Sequence, residues 1–221
     1  MALIYRTTLT PTKLELLTTW LPAQPWYHGK GQPELVRAGG FRLDDPEGEV
    51  GMEFMVVTDT SGDRPATYQV PFSYRGAPLA GAGEALIGTT EHGVLGRRWV
   101  YDGTRDPVLV AQLLALVAGE AEPQMQSTSD TPDPSVTASR TEPIATSAIT
   151  SMSVSDDPDG TDVFVETAAD GHRPALRINR VLRPGQEADA RAGLGLVTAG
   201  WSVPDGTTAR AVFAAVNHAR P

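Results

Sequence analysis

The apolar residues of this chain change their period near residue 34. Before it, Leu14, Leu17 and Leu21 recur at helical spacing, with Leu16 and Trp20 beside them. After it, apolar and polar residues alternate in short runs cut by turn residues. Val50, Met52, Phe54 and Val56 share one face of a run over Glu49–Thr58; Tyr68, Val70, Phe72 and Tyr74 share one face of Ala66–Tyr74. Asp44-Asp45-Pro46-Glu47-Gly48, Ser61-Gly62-Asp63 and Glu91-His92-Gly93 are turn sequences between such runs. Runs joined by short turns predict an antiparallel meander. Gly39-Gly40, inside the run Glu34–Leu43, marks a bulge or bend. Pro71 lacks a ladder donor and places its strand at an edge or a bulge.

Two helices frame this region. The first is expected to be capped by Thr10, to open on Pro11 and to stop at Pro22 and Pro25. A Pro- and Gly-rich loop, Ala23–Gln32, then carries Trp26, Tyr27 and His28. The second is capped by Asp106, opens on Pro107, carries a wide apolar stripe from Leu109 to Val117, and ends at Gly119. Residues 1–120 therefore read as one α+β domain. Residues 121–142 are rich in Pro, Ser, Thr and Asp and read as a linker or a long crossing loop. Residues 143–221 return to alternation, with hairpin turns at Asp156–Gly160 and Pro204–Gly206. They read as β-rich, either a second domain or an extension of the first sheet.

Composition excludes several classes of function. Of 221 residues, 18 are basic and 27 acidic, a net charge of −9 that repels phosphate backbones. No cysteine is present, so thiolate chemistry and sulfur-bound zinc are excluded. No apolar run approaches the ~20 residues that span a bilayer. Met1–Thr10 lacks the pattern of a secretory leader. A cytoplasmic protein without nucleic-acid or membrane partners is the expectation.

The motifs of catalysis are missing too. Gly29-Lys30 is followed by Gly31, not by the Ser or Thr of a P-loop. Gly81-Ala82-Gly83 lacks the third glycine of a dinucleotide fingerprint. No nucleophile elbow or His-Glu-x-x-His is found. His28, His92, His172 and His218 are isolated in sequence, and no pair has ligand spacing. Asp156–Asp162 fails the EF-hand spacing and reads as a solvated turn. No catalytic residue, cofactor or metal is therefore expected. Arg173, Arg177, Arg180, Arg183 and Arg191 form the one basic run, with Arg180 pointing away from Arg177 and Arg183. That split favours a solvated or partner-facing surface.

The candidates for binding lie among the aromatics. Trp26, Tyr27, Trp99 and Tyr101 could stack on sugar rings or fill a core. Alternation places Arg97, Trp99 and Tyr101 on one face of a strand and Arg98 and Val100 on the other. The apolar bulk of the first face predicts that it packs on the core. Asp102, in the exit loop, would accept backbone N–H bonds and hold the turn.

Several stretches carry a family resemblance. They are Leu14–Trp20 with Leu21-Pro22, Pro25-Trp26-Tyr27, Gly88–Gly96, and above all Arg98-Trp99-Val100-Tyr101-Asp102 followed by Asp106-Pro107. In order and spacing these resemble the N-terminal cap domain of actinobacterial maltokinases. The resemblance implies a curved antiparallel sheet packed on a helix, similar to cystatins. It also implies a setting in maltose, trehalose or glycogen metabolism. In that family the cap precedes two kinase lobes, whose nucleotide-contacting lysine has no counterpart here: no lysine follows Lys30. The expectation is a free-standing, non-catalytic cap. Its partner would be a sugar kinase or a glucan-metabolising enzyme; the alternative is an α-glucan or oligosaccharide ligand, or a minor α-glucan-active enzyme. A third class is a structural β protein that self-associates through strand edges.

Overall fold

The computed structural model describes residues 7–144, 146–168, 173–185 and 193–219. His172 and Arg191 lie outside them. Strands hold 47% of the chain and helices 14%, so a mostly antiparallel, unclosed sheet is the frame on which everything else is placed.

The strands are β1 (Leu9–Thr10), β2 (Leu35–Leu43), β3 (Gly51–Asp59), β4 (Ala66–Arg75), β5 (Leu86–His92) and β6 (Gly96–Asp102). They continue with β7 (Gln124–Met125), β8 (Thr137–Arg140), β9 (Ile149–Asp156), β10 (Gly160–Thr167), β11 (Pro174–Asn179), β12 (Val181–Leu182), β13 (Gly195–Ser202) and β14 (Thr208–His218). Their main order is β1-β5-β6-β4-β3-β2-β13-β14-β11-β10-β9. β7 pairs with β2, β8 with β13, and β12 with β4.

The first helix, α1 (Lys13–Trp20), starts two residues later than expected. Its N-cap is Thr12, not Thr10: the Thr12 hydroxyl accepts the Glu15 N–H and the Glu15 carboxylate accepts the Thr12 N–H. Thr-x-x-Glu is a capping box, and it outweighs the Thr-Pro signal before it. Pro22 stands in a short 3₁₀ turn, Leu21–Ala23, where its missing N–H costs nothing. The second helix, α2 (Pro107–Ala118), has the expected ends: Asp106 accepts from the Val108 N–H, and Gly119 closes it with φ 79°.

The meander holds for β2, β3 and β4 but not beyond. β4 pairs with β6 and leaves β5 outside, because the link from Gly76 to Ala85 is long enough to cross over. Pro71 is not on an edge strand. Its neighbour on one side is Phe54 of β3. On the other side β12 reaches Tyr68 and β6 begins at Phe72, so the proline faces the gap between them. The Gln69 N–H points to that side, donating to the Arg180 carbonyl at 2.8 Å; two residues on, no donor is needed. The expected bulge is present one residue earlier: Ala38 is the extra residue, between Arg37 and Gly39, and Gly39-Gly40 follow it. Both have positive φ, and a Cβ on Gly40 would come within 2.0 Å of the Phe54 carbonyl.

β3 separates two cores. Met55 and Val57 face Leu17 and Leu21 of α1, with Trp26, Tyr68, Val70, Phe72 and Val100. Met52, Phe54 and Val56 face the other way, into a larger core built on α2. That core also takes Phe41 from β2, Val163 from β10, Ile178 from β11, and Trp201 and Phe213 from β13 and β14. Strands on both sides of α2 thus enclose its stripe, and eight of the nine residues of β3 are buried. The segment 121–142 crosses the molecule and pairs at two places, Met125 with Phe41 and Ala138 with Val197. Val136 is buried in the α2 core.

Candidate functional site

The strand exit at β6 forms one charged centre. Asp102 is buried, and its Oδ2 accepts from Arg180 Nη2 at 2.5 Å while Oδ1 accepts from the Thr104 N–H and hydroxyl. Arg180 has 0% exposure. Its Nη2 also donates to the Thr104 hydroxyl, its Nε donates to the Thr161 hydroxyl at 2.8 Å, and its guanidinium lies 4.8 Å from the centre of the Trp26 ring. The Thr161 hydroxyl donates to Asp156, which also accepts from Arg105 at 2.9 Å. Nearby, Asp106 caps α2 and takes Arg75 through both carboxylate oxygens, at 2.7 and 2.6 Å. The Asp102–Arg180 pair is sealed from solvent and cannot meet a ligand; it ties the end of β6 to the junction of β11 and β12.

Arg180 is therefore a correction to the expected solvated or partner-facing run. The others described there are each paired with a carboxylate: Arg173 with Glu166, Arg177 with Asp157 and Asp162, and Arg183 with Asp159. The turn Asp156–Gly160 is as read. The Asp157 carboxylate accepts from the N–H groups of Asp159 and Gly160. The Arg177 guanidinium, helped by those donors, lowers its pKa to about 2.

The aromatic candidates do not form a platform. Trp26 is fully buried, in tilted contact with Trp20 and Tyr68. Tyr101 is 3% exposed and its hydroxyl accepts the Leu79 N–H. Tyr27 is half-buried, and its hydroxyl donates to Asp59 at 2.7 Å. Burial, then that bond to an anion, raises the Tyr27 pKa. Burial opposes ionisation of Asp59, but the donors from Ser61, Tyr27 and Glu34 hold its pKa below the usual range. Trp99 is half-buried and belongs to neither apolar cluster. On β6 it is Val100 that enters the core beside α1, on the same side as its β4 partner Tyr74, which corrects the expectation for Trp99; Tyr101, on the expected face, is buried. Tyr27 and Trp99 consequently lie on opposite faces of the sheet. Arg97 is exposed and pairs across the hairpin with Glu91 at 2.7 Å.

A second charged centre opens to solvent. Residues from the start of α1, from β3 and β4 and from the β5–β6 hairpin surround a cleft of about 500 Å³. Glu53 forms its floor and is 4% exposed. Its carboxylate accepts from Lys13, from the Tyr74 hydroxyl at 2.9 Å and from Gln126 Nε2 at 2.9 Å. Burial, then the Glu53 charge, pushes the Tyr74 pKa well above its ordinary value. Asp45, on the wall, accepts three backbone N–H groups, from Glu47, Glu49 and Val50. Sequence reading passed over this cleft. The available signal was Glu53 itself, a lone carboxylate between Met52 and Phe54 in an otherwise apolar run. Among the described residues, no group of three or more His, Asp or Glu side chains is placed to hold a metal ion. No helix there is long and apolar enough to cross a membrane.

Residues 20–106 match the maltokinase N-terminal cap domain. The match is less than half of the chain. It opens on the last residue of α1, spans β2 to β6, and closes on Asp106, the N-cap of α2. The cap region so defined holds Asp102 and Glu53, while Lys13, Gln126 and Arg180 come from outside it. No curated protein matches the chain.

Proposed function

We propose that this chain is a non-catalytic, maltokinase-related cap module, similar in its cap region to cystatins, that works as a partner or regulator. Its target would be an enzyme that phosphorylates a sugar or metabolises maltose, trehalose or α-glucan. The observation that carries this reading is the cap match over 20–106, set in a chain whose following residues form strands that continue the cap sheet. The missing phosphate-binding and nucleophile motifs in the sequence agree with it. Direct glucan stacking is the weaker reading, because Trp26 and Tyr101 are buried and Tyr27 and Trp99 lie on opposite faces.

The test has two parts. The protein is titrated into a purified maltose-phosphorylating kinase and into an α-glucan-forming enzyme, with kcat, KM and complex mass followed. A stoichiometric complex or a shift in either constant is expected with one of them. Calorimetry with ATP and magnesium is run on the chain alone. Saturable micromolar binding there, or phosphotransfer to maltose or glucose, would overturn the non-catalytic reading.

A further inference from the structure

Arg98 is a cation without a carboxylate. Its Nη2 donates to the Leu95 carbonyl at 2.8 Å, no carboxylate of the described residues lies within ion-pair distance, and its Nε is buried without a hydrogen-bond partner. Arg75, Arg177 and Arg180 each hold an acid, although Arg180 too has one buried guanidinium nitrogen, Nη1, without a hydrogen-bond partner. A buried guanidinium N–H with nothing to donate to is costly, by more than a neutral group would be. The side chain lies over Gly76, where a Cβ would come within 2.8 Å of Nη1. It lines both the Glu53 cleft and a smaller adjoining hollow of about 280 Å³.

The carboxylates buried in the cleft are already satisfied. The Glu53 and Asp45 carboxylates are each engaged by three donors within the protein. Arg42, on the same wall, pairs with Asp44. Lys13 gives one N–H to Glu53 and has two more. His92 accepts the N–H groups of Val94 and Leu95 on Nδ1, so its neutral ring carries the proton on Nε2, a donor. We propose that this cleft binds a small oxyanion, a phosphate or carboxylate group on a polar body, with Arg98 as its main charge partner and Lys13 as a further donor.

The volume suits a ligand of that size, since small-molecule sites run about 300–1,000 Å³. Glu49, exposed at the rim of both hollows, opposes a bare anion and accepts from hydroxyl groups. A hydroxylated body bearing one oxyanion therefore fits better than phosphate alone. The electrostatics of His92 agree. Burial, then the charges of Arg98 and Lys13, hold its pKa below the usual value, so those cations act on the ring across the cleft. An anion seated among them reverses that effect. The inference does not depend on the cap match.

The experiment uses the full chain at low ionic strength, with glucose 6-phosphate, gluconate, inorganic phosphate and glucose as calorimetric probes. Glucose 6-phosphate or gluconate should bind saturably, inorganic phosphate more weakly, and glucose not at all. The better of the first two identifies the oxyanion. Arg98→Gln should weaken binding ~10-fold or more, as loss of a charged hydrogen bond does, and Arg98→Lys should keep part of it. In proton NMR the His92 resonance, identified by its loss in His92→Gln, should titrate at higher pH with ligand bound. This readout needs only the unaltered protein and stands even if the Arg98 variants fold poorly. Binding of glucose as tight as glucose 6-phosphate overturns the proposal. So does absence of binding by every probe, a folded Arg98→Gln variant that binds unchanged, or a His92 titration indifferent to saturating ligand.

Discussion

Asp102 and Glu53 are both buried carboxylates of the cap region, and they are used in opposite ways. Asp102 faces Arg180, a residue far along the chain, in a site with no exposure on the guanidinium. Glu53 faces Lys13, whose side chain is 33% exposed, at the floor of an open cleft. The first closes an interface between two stretches of sheet; the second holds polar groups at a surface. The difference lies in what covers them. Around the Arg180 guanidinium stand Trp26, Thr104 and Thr161. Over Glu53, among the described residues, lies a cleft lined by Lys13, Tyr74 and Gln126. A carboxylate alone therefore says little about function; the far side of its partner does.

The sharpest way to break this comparison is at Arg180. Arg180→Met leaves Asp102 buried and unpaired and should cost ~3–5 kcal/mol, read in a urea or thermal melt. The double variant Arg180→Met with Asp102→Leu should regain most of it, because an apolar pair of similar volume avoids desolvating two charges. A single variant within ~0.5 kcal/mol of the parent would mean that the pair is not sealed. At the open centre the same kind of change should cost less. Glu53→Gln keeps the shape but faces Lys13 and Gln126 with an amide, at a cost of ~1–3 kcal/mol. An effect as large as that at Arg180 would erase the contrast.

Trp99 sharpens it further. Were it a core residue, Trp99→Ala would cost ~3–5 kcal/mol. Half-buried and outside both apolar clusters, it should cost about half of that or less, read as a modest fall in Tm. A full-sized loss would place its ring in the core and return that face of β6 to packing.

The backbone was far more legible than the site. Alternation and turn residues located β2 to β6, β10, β13 and β14 to within a few residues, because half-buried strands write their period into the sequence. Asp106 and Gly119 set both ends of α2 through local bonds that any such sequence can make. What escaped was non-local. That β6 and not β5 lies against β4 depends on a crossover with no period of its own. Arg180 reads as a surface residue until Asp102 and Thr161, distant in sequence, close around it. Lys13, Glu53 and Gln126 lie on three separate elements, and only folding brings them together. Asp102 was noticed for its turn, which it does hold through Thr104, but its ion pair could not be read from spacing.

The smallest effect belongs to an exposed counterpart of both centres. Asp157 accepts from Arg177 and from two backbone N–H groups at the β9–β10 turn, and its pKa falls to about 2. Its side chain is 44% exposed, so solvent screens most of the interaction. The sign is fixed by the direction of the shift. A carboxyl with a lowered folded pKa contributes stability that is present above its unfolded value near ~3.9 and is lost as pH falls toward 2. Asp157→Asn should remove this contribution at pH 7, with the difference shrinking as pH falls to 2 and vanishing below it. After screening the difference at pH 7 should be ~0–1 kcal/mol, measured as the gap between the two proteins' urea midpoints across pH 2 to 5. A gap that widens as pH falls would have the wrong sign and would mean that Arg177 does not hold the acid in its charged form. A gap as large as that expected for Arg180→Met would mean that exposure does not separate strong pairs from weak ones in this molecule.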